Sequence, residues 1–319
     1  MLFKVARLNT SPYSKGALFP LEKKRLERLK VGPHRVQYLE NVSEFDGVSP
    51  LILITNTHTD PDTISKEILA GTALMIHPNS GYDNFTAQFV KDATFPIVLG
   101  NEIRKQAVVE YILSALFQHF CPLPDEKTWN HNRTFARPLL SSKKVLILGQ
   151  GHIGKYLGDL LTLLGCDVHE WDPHFGPFKF PDEKMDVVIL ALSLNAKTRN
   201  IIDQNFLQSK LSDQFLLINT ARGELIKEAD LLKVLKKKKE AKAYLDVFEP
   251  EPKDFSSLSS HSKQIQLSSH VAGVYQNLNH AMVDFEEMVI KDFLQDLPLF
   301  FQNYREDFLQ QRYTKGQLL

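Results

Sequence analysis

The sequence predicts an α/β protein built from two doubly wound domains with parallel sheets. Three observations lead there. Short apolar runs alternate with helical patterns over residues 1 to 100, and a second such series starts at residue 143. Each run of the second series stops in a cluster of polar, Gly or Pro residues, which in an open parallel sheet line up along one edge. The first of those stops reads "GQGHIG", a glycine-rich turn between an apolar run and a helical pattern. A chain of 319 residues, 43% of them apolar, can bury two cores.

In the first series "LFKVARL" reads as a strand and "PLEKKRLERLK" as a charged helix, followed by strands "HRVQYLE" and "PLILITN". "DPDTISKEILAG" has an Asp cap, an early Pro and a terminal Gly, which predicts one helix. "TALMIHP" is a strand, then come "SGYDNFTAQFVKDA" and the strand "FPIVLGN". "QAVVEYILSALFQHF" is a long apolar helix. "CPLPDEKTWNHNRTFARPLLSS" is irregular and too long for an ordinary connection, so it reads as an arm or interface element. In the second series the strands are "KKVLILG", "CDVHEWDP", "MDVVILALS", "QFLLINTARGE", "AKAYLDVFEPEP" and "QIQLSSHVAG". The tail "NHAMVDFEEMVIKDFLQDLPLFF" reads as an apolar-faced helix returning to the first domain.

The glycine turn fits two phosphate-binding patterns. Gly149, Gly154 and Lys155 have the spacing of a P-loop, but that motif needs a Ser or Thr hydroxyl for magnesium where Tyr156 stands. Gly149, Gly151 and Gly154 also spell G-x-G-x-x-G, with a strand before, a helix after and Asp172 at the end of the next strand. In that reading Gly149 makes the turn, Gly151 admits a pyrophosphate and Gly154 lets helix and strand pack closely. A carboxylate at 172 accepts from a ribose 2′-OH and repels a 2′-phosphate, which favours NAD over NADP.

Composition narrows the rest. The 38 basic and 38 acidic residues cancel, which argues against a nucleic-acid partner. The run Lys236 to Lys239 follows an amphipathic pattern and reads as a solvated helix end. Two distant cysteines give neither a disulfide framework nor a metal spacing, and a reducing cytoplasm fits them. No stretch approaches the roughly 20 apolar residues of a membrane span, and no signal-peptide core opens the chain.

Taken together, "GQGHIGKYLG", "WDP", "KTRNII", "LINTARGELI", "LDVFEPEP" and "LSSHVAG", with "NSGYDNF" and "AVVEYILSAL" before them, resemble the D-isomer-specific 2-hydroxyacid dehydrogenase family. Local similarity extends to its erythronate-4-phosphate and D-3-phosphoglycerate dehydrogenases. The resemblance implies Rossmann-like and flavodoxin-like domains, with a nucleotide domain (102–279) inserted into a discontinuous substrate domain (1–101 and 280–319). It implies hydride exchange between NAD and a D-2-hydroxy acid, no metal, and a homodimer. Arg222 would bind the substrate carboxylate and polarise its carbonyl, a task suited to a planar guanidinium fork. His270 would move the proton, and Glu251, directly before the last Pro of "EPEP", would pair with it. Glu249 is then a loop residue, and the ten other histidines are mostly surface or loop residues. The implied cofactor residues are Gly149, Gly151, His152, Ile153, Gly154, Asp172, Thr220, Ala221, Arg222, Asp246, His270 and Gly273, Asp246 holding the carboxamide. Asn79, Ser80 and Gly81 would grip the substrate carboxylate through backbone N–H groups.

The sequence departs from the family in three places. "PHFGPFKFPDEK" leaves little room for the helix that usually walls the adenine pocket. Ser193 replaces a common Pro. "TNTHTDP" lacks a frequent Arg. A non-catalytic NAD-sensing protein on the same fold is the competing reading; the intact Arg222, Glu251 and His270 set argues against it.

Overall fold

The computed structural model describes residues 1–8, 16–174, 180 and 182–315. Residues 175–179 and 181 of the shortened segment before Met185 lie outside them. The chain forms two compact units: Met1–Arg104 with Val274–Leu319, and Lys105–Gly273. Residues 102–104 and 274–279 thus lie in the first unit, where the Tyr275 hydroxyl donates to the Ile103 carbonyl (2.9 Å).

The first unit contains β1 (Leu2–Arg7), β2 (Lys30–Val31), β3 (His34–Leu39), β4 (Leu51–Ile54), β5 (Thr72–His77) and β6 (Ile97–Leu99). Their order is β2-β3-β1-β4-β5-β6. All neighbours are parallel except the β2–β3 hairpin, which turns at Gly32 with φ 55°. The central strand β4, Leu-Ile-Leu-Ile, is buried along its whole length because helices cover both faces. One face packs on Val289 and Ile290 of the helix Leu278–Gln295, so the tail completes this core. The other face packs on Phe85, Phe89 and Val90. The single helix expected over 60–71 is two elements. Asp60 caps only a short turn, Pro61–Thr63, because Ile64 goes extended (ψ 131°) and Ser65 caps a new helix, Lys66–Gly71.

Arg7, at the end of β1, is buried between Glu22 and Glu286. Its Nε donates to Glu22 (2.6 Å), its Nη2 donates to Glu286, and the Tyr38 hydroxyl donates to Glu22 (2.9 Å). One guanidinium faces two carboxylates. Burial, and then the Glu22 charge, push the Glu286 carboxyl up to about 8 against the pull of Arg7. A raised folded-state value means the folded chain holds a proton that the unfolded chain has released. That contribution is complete below about 4.5 and is lost as pH climbs towards about 8. Urea unfolding should find wild type and Glu286→Gln equally stable near the lower pH. Wild type should fall behind by on the order of a few kcal/mol at the upper one. A difference that does not change with pH would contradict the protonated Glu286.

The second unit contains β7 (Lys144–Leu148), β8 (Asp167–Trp171), β9 (Met185–Leu190), β10 (Leu211–Asn219), β11 (Lys242–Leu245) and β12 (Ile265–Leu267). The order is β12-β11-β10-β9-β7-β8 and every pair is parallel. Alternate residues of the central strands face opposite layers. Val145, Ile147, Val187 and Ile189 meet Val109, Ile112, Leu157 and Leu161 on one side. Leu146, Leu148, Val188 and Leu190 meet Phe206, Leu231, Val234 and Leu235 on the other. Strand order reverses at β7, so the crevice of this doubly wound sheet opens beyond Leu148, at Gly149. Lys238 is not a solvated helix end. Its ammonium donates to the Leu211 (3.0 Å) and Ser212 (3.1 Å) carbonyls and pairs with Asp213 (3.2 Å).

Candidate functional site

The glycine turn leaves β7 with Gly149 at φ 115°, a conformation that strains any L side chain. A Cβ there would lie 2.4 Å from the Ala191 carbonyl oxygen, and one on Gly154 would lie 1.8 Å from Gly149 O. Both glycines are therefore required by the protein's own packing. Gly151 differs: its φ is −78° and an added Cβ would meet nothing within 4 Å. It faces open space at the N-terminus of the helix His152–Leu163, where helix N–H groups favour an anion. Of the next two residues, His152 is half-buried and Ile153 packs into the core. These residues fit the pyrophosphate of a dinucleotide.

Asp172, at the end of β8, is buried and oriented by two backbone donors, Gln150 N–H (2.9 Å) and His174 N–H (3.0 Å). It both closes a turn and ties that turn to the glycine loop. His174 Nε2 accepts from the Asn195 side-chain amide (3.1 Å), and burial lowers its pKa below the ordinary histidine value.

At the end of β10, Asn219 is fully buried and shapes the following turn. Its Oδ1 accepts from Ala221 N–H (3.1 Å) and its amide donates to the Arg222 carbonyl (2.8 Å). Thr220 and Arg222 are half-buried on this turn, and Arg222 Nη1 donates to the Ala221 carbonyl (2.8 Å). The turn lies against the end of β11: a Cβ on Gly223 would fall 2.0 Å from the Phe248 carbonyl carbon. Phe248 N–H donates to Glu251 Oε1 (2.8 Å), and Glu251 Oε2 lies 2.7 Å from His270 Nδ1. Glu251 is thus anchored through one oxygen and orients the imidazole through the other. Nδ1 carries the proton of that bond, leaving Nε2 without a protein partner among the described residues. Glu249 instead reaches Arg199 (3.3 Å).

His270 sits at φ 54°, a left-handed conformation costing about 1–2 kcal/mol for a side-chain-bearing residue. Asp246 holds it there. The backbone carbonyl of Asp246 accepts His270 N–H (2.7 Å), and its buried carboxylate accepts Ser268 Oγ (2.5 Å), Val271 N–H (2.9 Å) and Ala272 N–H (2.9 Å). The Tyr111 hydroxyl lies 2.6 Å from Ser268 Oγ and extends the network to the helix Lys105–Phe120. Sequence reasoning missed Tyr111, Ser268 and Asn219. Gly273 ends the unit one residue past Ala272.

In the first unit, the turn after β5 carries Asn79, Ser80 and Gly81, all half-buried. Sequence reasoning also missed what shapes it. His77 is fully buried rather than a surface histidine, with Nδ1 2.8 Å from Thr55 Oγ1 and Nε2 2.9 Å from Gly81 O. Asn79 N–H folds back on the His77 carbonyl (2.7 Å). Ser80 and Gly81 N–H find no protein acceptor among the described residues. The loop 55–61 is tied to the same region by Asn84, whose amide donates to the Asn56 (3.2 Å) and Thr59 (2.7 Å) carbonyls.

Residues 121–272 match the family model "D-isomer specific 2-hydroxyacid dehydrogenase, NAD binding domain". The chain is 30% identical over 262 residues to 4-methyl-2-oxopentanoate reductase A of Aspergillus oryzae, covering 74% of this chain and 78% of that protein. Among solved structures, a probable 2-hydroxyacid dehydrogenase from Rhizobium etli in complex with NADP superposes with TM-score 0.69 at 17% identity, covering 92% of this chain and 94% of the other. The NAD-complexed D-isomer specific 2-hydroxyacid dehydrogenase of Lactobacillus delbrueckii gives 0.63 at 18% identity, covering 90% and 96%.

Proposed function

This chain belongs to the D-isomer-specific 2-hydroxyacid dehydrogenase family, an oxidoreductase working on 2-hydroxy and 2-oxo acids with a nicotinamide cofactor, and we propose that it does so with NAD through Arg222, Glu251 and His270. The observation that carries the proposal is the Glu251–His270 pair, 2.7 Å apart, on a loop that Asp246 holds in a strained conformation. When bound, the nicotinamide supplies or accepts the hydride. The chain supplies the rest. Arg222 binds the substrate carboxylate with its guanidinium fork. His270 Nε2 delivers a proton to the carbonyl oxygen in reduction and removes it from the hydroxyl in oxidation. Glu251 fixes the tautomer through Nδ1 and balances the imidazolium charge.

The glycine loop, with Gly151 open, receives the pyrophosphate. Asp172 supports NAD, since its fixed carboxylate opposes a 2′-phosphate. Thr220, Ala221 and Gly273 supply the remaining contacts in this reading, whereas Asp246, buried and with its carboxylate taken by residues 268, 271 and 272, acts by holding the loop that carries His270. The Ser80 and Gly81 N–H groups grip the substrate carboxylate in this reading, whereas the Asn79 N–H is taken by the His77 carbonyl. Self-association through 121–142, where Leu123, Trp129, Phe135 and Leu139 are exposed, completes the proposal.

A panel of 2-oxo acids with NADH and NADPH tests it. The expected result is turnover of at least one acid, with kcat/KM for NADH exceeding that for NADPH by at least about tenfold. No turnover with either coenzyme would sink the catalytic assignment. Preference for NADPH would reduce Asp172 to a loop-holding residue. No helix among the described residues is long and apolar enough to cross a membrane.

A further inference from the structure

β8 is an edge strand of the second sheet, and its first and third residues, Asp167 and His169, share one face because strand side chains alternate. Glu183 meets them from the segment that enters β9. His169 Nε2 lies 3.3 Å from Asp167 Oδ1 and 3.7 Å from Glu183 Oε1. This nitrogen is shielded from solvent, yet it hydrogen-bonds to neither carboxylate nor to any other described residue. One ligand atom from each of the three residues falls within 4.8 Å of the other two. Atoms bound at about 2.0–2.2 Å around one tetrahedral or octahedral ion stand roughly 3.0–3.6 Å apart, so small side-chain rotations complete a three-ligand face. Asp167 and Glu183 are exposed, which leaves an entry path and room for water at the remaining positions.

Charge favours a cation at this place. Lys144 pairs with Glu183 through the other carboxylate oxygen, and the Lys144 backbone N–H donates to Asp186 (3.1 Å). Three carboxylates, Asp167, Glu183 and Asp186, thus stand around one ammonium. A buried polar atom without a hydrogen bond is costly, and a metal bond to Nε2 removes that cost. An imidazole nitrogen beside two carboxylates suits zinc and its neighbours, whereas magnesium and calcium take oxygen ligands. We infer that Asp167, His169 and Glu183 bind one zinc-class divalent cation, which ties the segment before β9 to the edge strand β8. Lys144 stands opposite Asp167 at the start of β7, so the site lies at the amino edge of the sheet, whereas Gly149 leaves β7 at the carboxyl edge. The ion is therefore separate from the nucleotide crevice, and the inference does not depend on the dehydrogenase reading.

Calorimetric titration of the chelator-treated full chain with Zn²⁺ tests it, with thermal unfolding on the same samples. One Zn²⁺ per chain should bind with a Kd below about 100 µM. At a free concentration of about a hundred times Kd, Tm should rise by roughly 3 °C or more. Mg²⁺ should not compete. His169→Asn and, separately, Asp167→Asn should each weaken Zn²⁺ binding by at least about tenfold and remove the rise in Tm. Asp167 is exposed at the start of its strand, so its variant keeps the test decisive if the histidine variant does not fold. Binding of the same strength in both variants would place the ion on other residues. No saturable binding below about 100 µM would leave a protonated His169 paired with two carboxylates and no metal site. Either result overturns the inference.

Discussion

His270→Asn is expected to lower kcat by a factor of about 10²–10⁴, the range a positioned acid–base group contributes. Asparagine is the replacement of choice because residue 270 has φ 54° and Asn tolerates that region better than Ala does. The backbone bond to the Asp246 carbonyl and the Asp246 carboxylate bonds to residues 271 and 272 do not involve the imidazole. The loop should therefore stay in place, and coenzyme affinity should change by less than about threefold. The loss belongs in the chemical step, so single-turnover NADH oxidation should slow as much as steady-state turnover does. Glu251→Gln separates the partners. Its amide still accepts from Phe248 N–H and still meets Nδ1, but no charge balances the imidazolium, so kcat should fall by about 10–100-fold with KM nearly unchanged. A His270→Asn enzyme retaining more than about a tenth of wild-type kcat would move the proton-transfer role elsewhere.

The residues that sequence reasoning named sit where two strand-end rules put them: the G-x-G-x-x-G turn at the reversal of strand order, and polar residues just past parallel strands. Gly149 and Asp172 follow their strands directly, and Arg222 and His270 come three residues past theirs, so local pattern suffices. What holds them is non-local. Ser268 reaches Asp246 across 22 residues and Tyr111 across 157, and nothing in either local stretch announces the pairing. Arg7 meets a glutamate 279 residues away. His77 ends its strand in a polar cluster like many others, and only the fold brings Thr55 and Gly81 to its two nitrogens. The Asp60 segment failed for a different reason. Two capping residues, Asp60 and Ser65, stand close together in sequence, and the chain uses both.

The glycine loop allows a sharper test, because two of its glycines are needed for opposite reasons. In Gly154→Ala the new Cβ would press 1.8 Å from a backbone oxygen and 2.9 Å from its carbon, and neither atom belongs to a flexible side chain. The helix His152–Leu163 must back away from β7, which costs about 1–3 kcal/mol or more. For a domain of this size that is a fall in Tm of roughly 2–12 °C, with coenzyme binding lost as a consequence. In Gly151→Ala the backbone is already at a φ that alanine adopts freely, and no protein atom lies within 4 Å of the added methyl. Tm should stay within about 1 °C of wild type. If the space beside Gly151 is the approach of a pyrophosphate, that methyl displaces it, and the Kd for NADH should rise by about 100-fold, or 2.7 kcal/mol. Calorimetric or fluorescence titration with NADH, run beside thermal unfolding, reads both quantities on the same samples. A Gly151→Ala protein that melts normally and binds NADH normally would leave the turn a packing device alone, since the one glycine that packing does not require would then serve no ligand either.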